Sequence, residues 1–221
     1  MPDWQESLGH RFADPALLRQ ALTHRSASHG TQGSNERLEF LGDRVLGLLV
    51  ADWLLERHGG EREGDLGKRL AALVARPTLA AIAGRIGLDR QLVVPAAEAR
   101  AGVRARASVR ADALEAVIGA LYLDGGLAAA RDFVRRHWAE AVAAMQLPPM
   151  AAKTRLQEWL AARALAAPCY RLVAASGPAH APRFVIAVAG GGAEAEAEGR
   201  TKRTAEEAAA LRLLAKLGAD A

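Results

Sequence analysis

Only one cysteine, Cys169, occurs in the 221 residues of this chain. That excludes an internal disulfide and a thiolate metal cage, and leaves a small half-buried side chain as its plainest role. A reducing cytoplasm is the compartment such cysteine usage suits. Aromatic residues are scarce, at 5%, so a core must come mainly from Leu, Val and Ala, a mixture that favours helix. There is no run of about 18 uncharged apolar residues, and no membrane partner is expected. The first ten residues carry acids and Trp4 in place of the basic-then-apolar order of a secretory signal. Six histidines are scattered without an H-E-x-x-H pair, which argues against zinc. Also missing are G-x-x-x-x-G-K-[ST], G-x-G-x-x-G and G-x-S-x-G, so neither a nucleotide cofactor nor a serine nucleophile is expected.

What the chain does carry is acid at helical spacing. In Asn35-Glu36-Arg37-Leu38-Glu39-Phe40-Leu41-Gly42-Asp43, three carboxylates stand at offsets i, i+3 and i+7. At about 100° per residue, Glu36, Glu39 and Asp43 fall within roughly 60° of one another. Leu38, Leu41, Val45, Leu48 and Leu49 are expected on the opposite, buried side. A second pair, Asp112 and Glu115, lies one turn apart, opposite Leu114, Val117, Ile118 and Leu121. Ala116 and Gly119 beside these acids would let another helix approach closely. One acid stripe is commonly a solvated helix face. Two, each opposite a well-formed apolar face, suggest carboxylates converging on a hard divalent cation.

The 51% hydrophobic content supports a sizeable core. From Asp14 to His137 the pattern is helical, punctuated by Gly30, Gly59-Gly60, Gly87, Pro95 and Gly125-Gly126. The stretch from Leu66 to Ile86 is expected to break near Pro77. Gln146-Leu147-Pro148-Pro149-Met150 is a stiff connector and the expected domain boundary. Beyond it come a helix from Lys153 to Leu165, strands at Tyr170 to Ala174, Arg183 to Val188 and Ala193 to Gly199, and a helix from about Thr204 to Leu217. Strict alternation of Ala with Glu194, Glu196 and Glu198 places the glutamates on the uncovered face of a sheet. From Ala151 onward ten Lys/Arg oppose seven Asp/Glu. The outward glutamates and Asp220 are expected to lie away from the basic groups. Arg200, Lys202 and Arg203 beside the start of the last helix suit phosphate.

The run N-E-R-L-E-F-L-G-D closely resembles the signature of ribonuclease III, the endonuclease that cuts double-stranded RNA. The resemblance continues through E-G-D-L (Glu63 to Leu66), A-D-A-L-E-A-V-I-G-A-L-Y-L-D-G-G (Ala111 to Gly126) and K-T-R-L-Q-E-W-L (Lys153 to Leu160). It closes with G-P-x-H (Gly177 to His180) and G-R-T-K-R-T-A-E (Gly199 to Glu206). It thus covers nearly the whole chain in order. It implies an all-α endonuclease domain over residues 1–146, a linker at 147–152, and a small α+β (α-β-β-β-α) double-stranded-RNA-binding domain over 153–219. By the same resemblance Glu39, Asp43, Asp112 and Glu115 are the metal-binding cluster, with Asp43 and Glu115 catalytic. Glu36 and Glu63 match assisting acids. Gln157, Glu158, His180, Lys202 and Arg203 match RNA contacts, and the family works as a homodimer.

Departures are local. Arg44 and Arg110 stand where the family often has a small or aliphatic residue, and Ala151 replaces a frequent capping aspartate. Thr154 with Gln157 is a candidate substitute capping box. An all-carboxylate site selects Mg²⁺, with Mn²⁺ as substitute. The expected chemistry is in-line attack by water, assisted by a pair of ions, leaving 5′-phosphate and 3′-hydroxyl ends. Two centres across a minor groove would leave short 3′ overhangs, and Phe40, projecting on the acid side, is the candidate interface residue. Expected substrates are ribosomal RNA precursors and other structured transcripts. The alternative is a double-stranded-RNA-binding regulator that does not cut.

Overall fold

Apolar residues at helical spacing in the first two thirds of the chain, and alternation at period two in the last third, give two units with separate cores. The computed structural model describes residues 2–28, 33–178 and 180–219, so Gly30 and Asp220 lie outside the described residues. The units are Met1–Pro149 and Met150–Ala221.

The first unit is helical: α1 (Pro2–Leu8), α2 (Pro15–Ala21), α3 (Glu36–Arg57), α4 (Glu63–Leu73), α5 (Arg76–Arg85), α6 (Ala96–Arg100) and α7 (Ala107–Ala144). The break expected near Pro77 falls at Val74–Ala75, and Pro77 sits in the first turn of α5. A proline there loses only an N–H that has no intrahelical partner. Gly125-Gly126, expected as a stop, is instead a kink: Gly126 takes φ 69°, ψ −170° inside α7. Leu114, Val117, Ile118, Leu121, Phe133 and Trp138 of α7 are wholly buried. This helix is long and apolar enough to cross a membrane by composition, but here it is the spine of the core.

Helix α3 buries Leu38, Val45 and Leu49, while Leu48 is 57% exposed, against expectation. Its packing partner is α7, and the two meet backbone to backbone. A Cβ on Gly42 would lie 1.7 Å from the Glu115 carbonyl oxygen, and one on Gly119 would lie 2.3 Å from that of Leu38. Reciprocal glycines bring the axes closer than any side chain would permit. Two ion pairs brace the same helix pair further along, Arg131–Asp52 at 3.4 Å and Arg135–Glu56.

The second unit is α8 (Ala152–Ala161), β1 (Cys169–Ser176), β2 (Arg183–Gly190), β3 (Ala193–Gly199) and α9 (Lys202–Lys216), with an antiparallel sheet in the order β1-β2-β3. Ala195 and Ala197 are buried beneath the helices with Leu156, Leu160, Leu213 and Leu214. Glu194, Glu196 and Glu198 face outward as expected. They are not remote from positive charge, however. Arg183 pairs with Glu198 at 3.4 Å as a diagonal neighbour on the adjacent strand, and Arg171 of β1 reaches across β2 to Glu194 at 3.2 Å.

Other details differ from expectation. Helix α8 stops before residue 165, where Ala164 turns to φ 54°. Thr154 is inside α8 and supplies no cap; Ala151 is the N-cap residue, without a side-chain bond. Instead Glu207 of α9 accepts from Lys153 N at 3.4 Å, while Glu206 pairs with Lys153 Nζ at 2.6 Å. A neighbouring helix thus satisfies the donor that a local cap would have served. Cys169, expected half-buried, is exposed because it opens an edge strand.

Two glycines of α3 should respond oppositely to alanine. Gly42→Ala, which forces the helices apart, should cost at least about 3 kcal/mol. Gly47→Ala, with nothing within 4 Å of its Cβ, should gain up to about 1 kcal/mol from helix propensity. Thermal unfolding of both variants checks this; equal effects would mean the crossing is looser than described.

Candidate active site

The glycine crossing sets the first turns of α3 against the acid-bearing turn of α7. One carboxylate oxygen from each of Glu39, Asp112 and Glu115 lies within 4.8 Å of the others. All three side chains are part-buried. Asp43, one turn beyond Glu39, stands at the rim: its side chain is 53% exposed and its Oδ2 accepts from Arg44 Nη1 at 3.0 Å. Three of the four expected ligands are therefore gathered, with the fourth beside them.

Burial and mutual repulsion shift these groups together. Glu115 is pushed up to about 7, first by desolvation, then by the charges of Asp43, Glu39 and Asp112. Glu39 is raised by burial, then by Asp112, Glu36 and Asp43. Burial also raises Asp112, opposed by Arg76, His24 and Arg25. Carboxylates crowded with so little compensation form a site that favours an added cation. The donor set is all oxygen, as a hard divalent ion requires.

Glu36 opens α3, accepts from Ser34 Oγ at 3.1 Å, and lines the same hollow as Glu39 and Asp112. Glu63 opens α4 and is exposed, outside the acid group. Gln157, Glu158 and His180 are exposed in the second unit, as are Lys202 and Arg203 in the first turn of α9. Thr201 caps that helix, accepting from Thr204 N at 3.1 Å. Gly199 lets β3 run close beneath, since a Cβ there would lie 2.4 Å from Ala205 N.

Sequence reasoning missed the basic mouth of the site. His24 N donates to Val93 O at 3.0 Å and Asn35 N to Thr23 O at 2.9 Å, which pins residues 23–26 beside the start of α3. His24 Nδ1 lies 2.7 Å from Ser26 Oγ, which donates to Glu98 Oε2 at 2.6 Å. Arg76 comes from the start of α5. Nothing local in the sequence links these positions to the acids; only the tertiary fold does.

Known proteins resemble the chain along its whole length. A family profile described as Ribonuclease-III-like matches residues 14–142, and one described as double-stranded RNA binding motif matches residues 152–217. Proteins named Ribonuclease 3 match it at 48% identity in Jannaschia sp. (98% of this chain, 96% of that protein) and 46% in Cereibacter sphaeroides strain ATCC 17025 (98% and 95%). The crystal structure of the nuclease domain of ribonuclease III from Campylobacter jejuni aligns with TM-score 0.60 at 38% identity, over 64% of this chain and 95% of that one. A second structure of that domain, described by flexibility in a region involved in dimer formation, gives 0.59 at 39%, over 62% and 94%.

The raised Glu115 makes stability depend on pH in a definite direction. Between its ordinary 4.5 and about 7 the folded chain keeps a proton that the unfolded chain has lost. The group's contribution therefore falls as pH rises through that window and stays unfavourable above it. In metal-free buffer at pH 8, Glu115→Gln should be more stable than the parent by about 1 kcal/mol after solvent screening. The difference should vanish below about pH 3.5, where both states are protonated. A variant no more stable at pH 8 would contradict the assignment.

Proposed function

The chain belongs to the ribonuclease III family and is an endoribonuclease, and we propose that it hydrolyses double-stranded RNA as a Mg²⁺-dependent homodimer. The observation that carries this reading is the convergence of Glu39, Asp112 and Glu115 at the glycine crossing, with Asp43 at its edge. These four acids hold the cation, and Mn²⁺ can substitute for it. When bound, Mg²⁺ lowers the pKa of water and neutralises charge on the phosphate. Glu115 keeps its proton near neutrality until positive charge arrives, so occupancy of the site releases protons. Arg25 and Arg76 moderate the acid field and offer fixed positive charge to an approaching phosphate. Glu36 and Glu63 are assigned to assist at the cleft. Products carry 5′-phosphate and 3′-hydroxyl ends.

Duplex RNA presents a narrow major groove and a shallow minor groove, so it is read by shape, 2′-hydroxyls and phosphates. Gln157, Glu158 and His180 are assigned to the minor groove, and Lys202 with Arg203 to phosphate at the start of α9. Such readout carries little base information, which suits ribosomal RNA precursors and other structured transcripts in the cytoplasm. Among the described residues each chain offers one acid cluster, so cutting both strands in one encounter needs two chains related by a two-fold axis. Exposed Phe40, Leu48 and Leu55 on α3, with Leu123 on α7, supply apolar surface for that interface. Two facing centres then leave short 3′ overhangs.

Incubation with long duplex RNA with and without Mg²⁺, followed by end-group analysis, tests the reading. Glu115→Ala should lose cleavage by at least about 10²-fold while retaining gel-shift affinity in Ca²⁺. Near-parental cutting would remove Glu115 from the metal site, and binding without cleavage by the parent would identify a regulator. Replacing Lys202 and Arg203 together by Ala should weaken binding and lower the salt slope by up to about two. An unchanged slope would mean that these charges only meet solvent.

A further inference from the structure

Arg44 follows Asp43 on α3 and folds back over the same helix. Its Nη1 donates to Asp43 Oδ2 at 3.0 Å and to the Phe40 carbonyl oxygen at 2.8 Å. Its guanidinium carbon stands 3.8 Å from the centroid of the Phe40 ring. The side chain is 57% exposed, yet three contacts hold it in place. A planar guanidinium stacked on an aromatic ring loses less freedom on pairing than a lysine would.

Two consequences bear on the acid site. One oxygen of Asp43 is occupied by a permanent cation, and Asp43 stays outside the group formed by Glu39, Asp112 and Glu115. A full positive charge also sits within bonding distance of an acid whose field reaches Glu115. We propose that Arg44 is a positioning residue that holds Asp43 in reserve and thereby weakens the site's affinity for its divalent cation. While Arg44 holds Oδ2, Asp43 can offer the acid set only its other oxygen, so the guanidinium raises the cation concentration at which the site fills. The proposal rests on the metal reading given above. It assigns Arg44 no part in the reaction itself. Both effects of the arginine, competition for Asp43 and charge repulsion, act in the same direction.

Mn²⁺ binding, followed by electron paramagnetic resonance as loss of the free-ion signal, tests this without any cleavage assay. At low salt, Arg44→Leu should bind Mn²⁺ about three- to tenfold more tightly than the parent, a range set by an exposed ion pair and a nearby charge. Arg44→Gln, which removes the charge with a polar side chain, should shift the same way. In the Asp43→Asn background the gain from Arg44→Leu should shrink to about twofold, because the competition for a carboxylate is lost and only the repulsion by the Arg44 charge remains. Equal affinities of parent and Arg44→Leu would overturn the role of Arg44 while leaving the metal site standing. An undiminished gain in the Asp43→Asn background would reduce Arg44 to a bulk charge and overturn its action through Asp43. No Mn²⁺ binding by any of these chains would overturn both the proposal and the metal reading.

Discussion

The contact on which the rest depends is the crossing of α3 and α7 at Gly42 and Gly119. Each glycine faces the other helix's backbone, at distances where a single methyl group would collide with a carbonyl oxygen. Packing this close does not maximise buried apolar area, since neither glycine contributes a side chain. Its effect is positional. Glu39 and Asp43 flank Gly42, and Glu115 and Asp112 precede Gly119, so removing two side chains from the seam lets Glu39, Asp112 and Glu115 approach across it, with Asp43 at the rim. The remaining length of both helices supplies the stability, through Leu38, Val45, Leu46 and Leu49 against Leu114, Val117, Ile118 and Leu121.

Convergence has an electrostatic cost that the fold leaves partly uncompensated. Arg25, Arg76 and His24 lower the field at Asp112, but burial and like charge still raise Glu39, Asp112 and Glu115. A protein built only for stability would have placed a guanidinium between these acids. In this chain Arg44 stays on the outermost one, Asp43. Stability withheld at one cluster while the surrounding core is well packed is the pattern expected of a functional site.

Much of this was legible in the sequence, for physical reasons. Helical period alone aligned Glu36, Glu39 and Asp43, and Gly119 beside the second acid pair signalled a close neighbour. Period-two alternation fixed the faces of β3, because a one-residue slip would have buried three glutamates. The illegible parts depend on tertiary register. Leu48 belongs to the apolar pattern of α3, yet α7 does not reach over it. Glu194 and Glu198 find Arg171 and Arg183 only through the pairing with β2. Glu207 caps α8 from across the unit, and no local motif could announce it. The residue 23–26 segment reaches the acid mouth through backbone bonds to Val93 and Asn35, and Arg76 through the packing of α5 on α7.

In the proposed function the glycine crossing builds a cation site from both helices. Anomalous scattering at the manganese edge, from crystals of the parent chain grown with Mn²⁺, tests it most directly. A peak is expected within about 2.0–2.4 Å of carboxylate oxygens of Glu39, Asp112 and Glu115. A peak held by one helix alone, or found only away from the crossing, would contradict it.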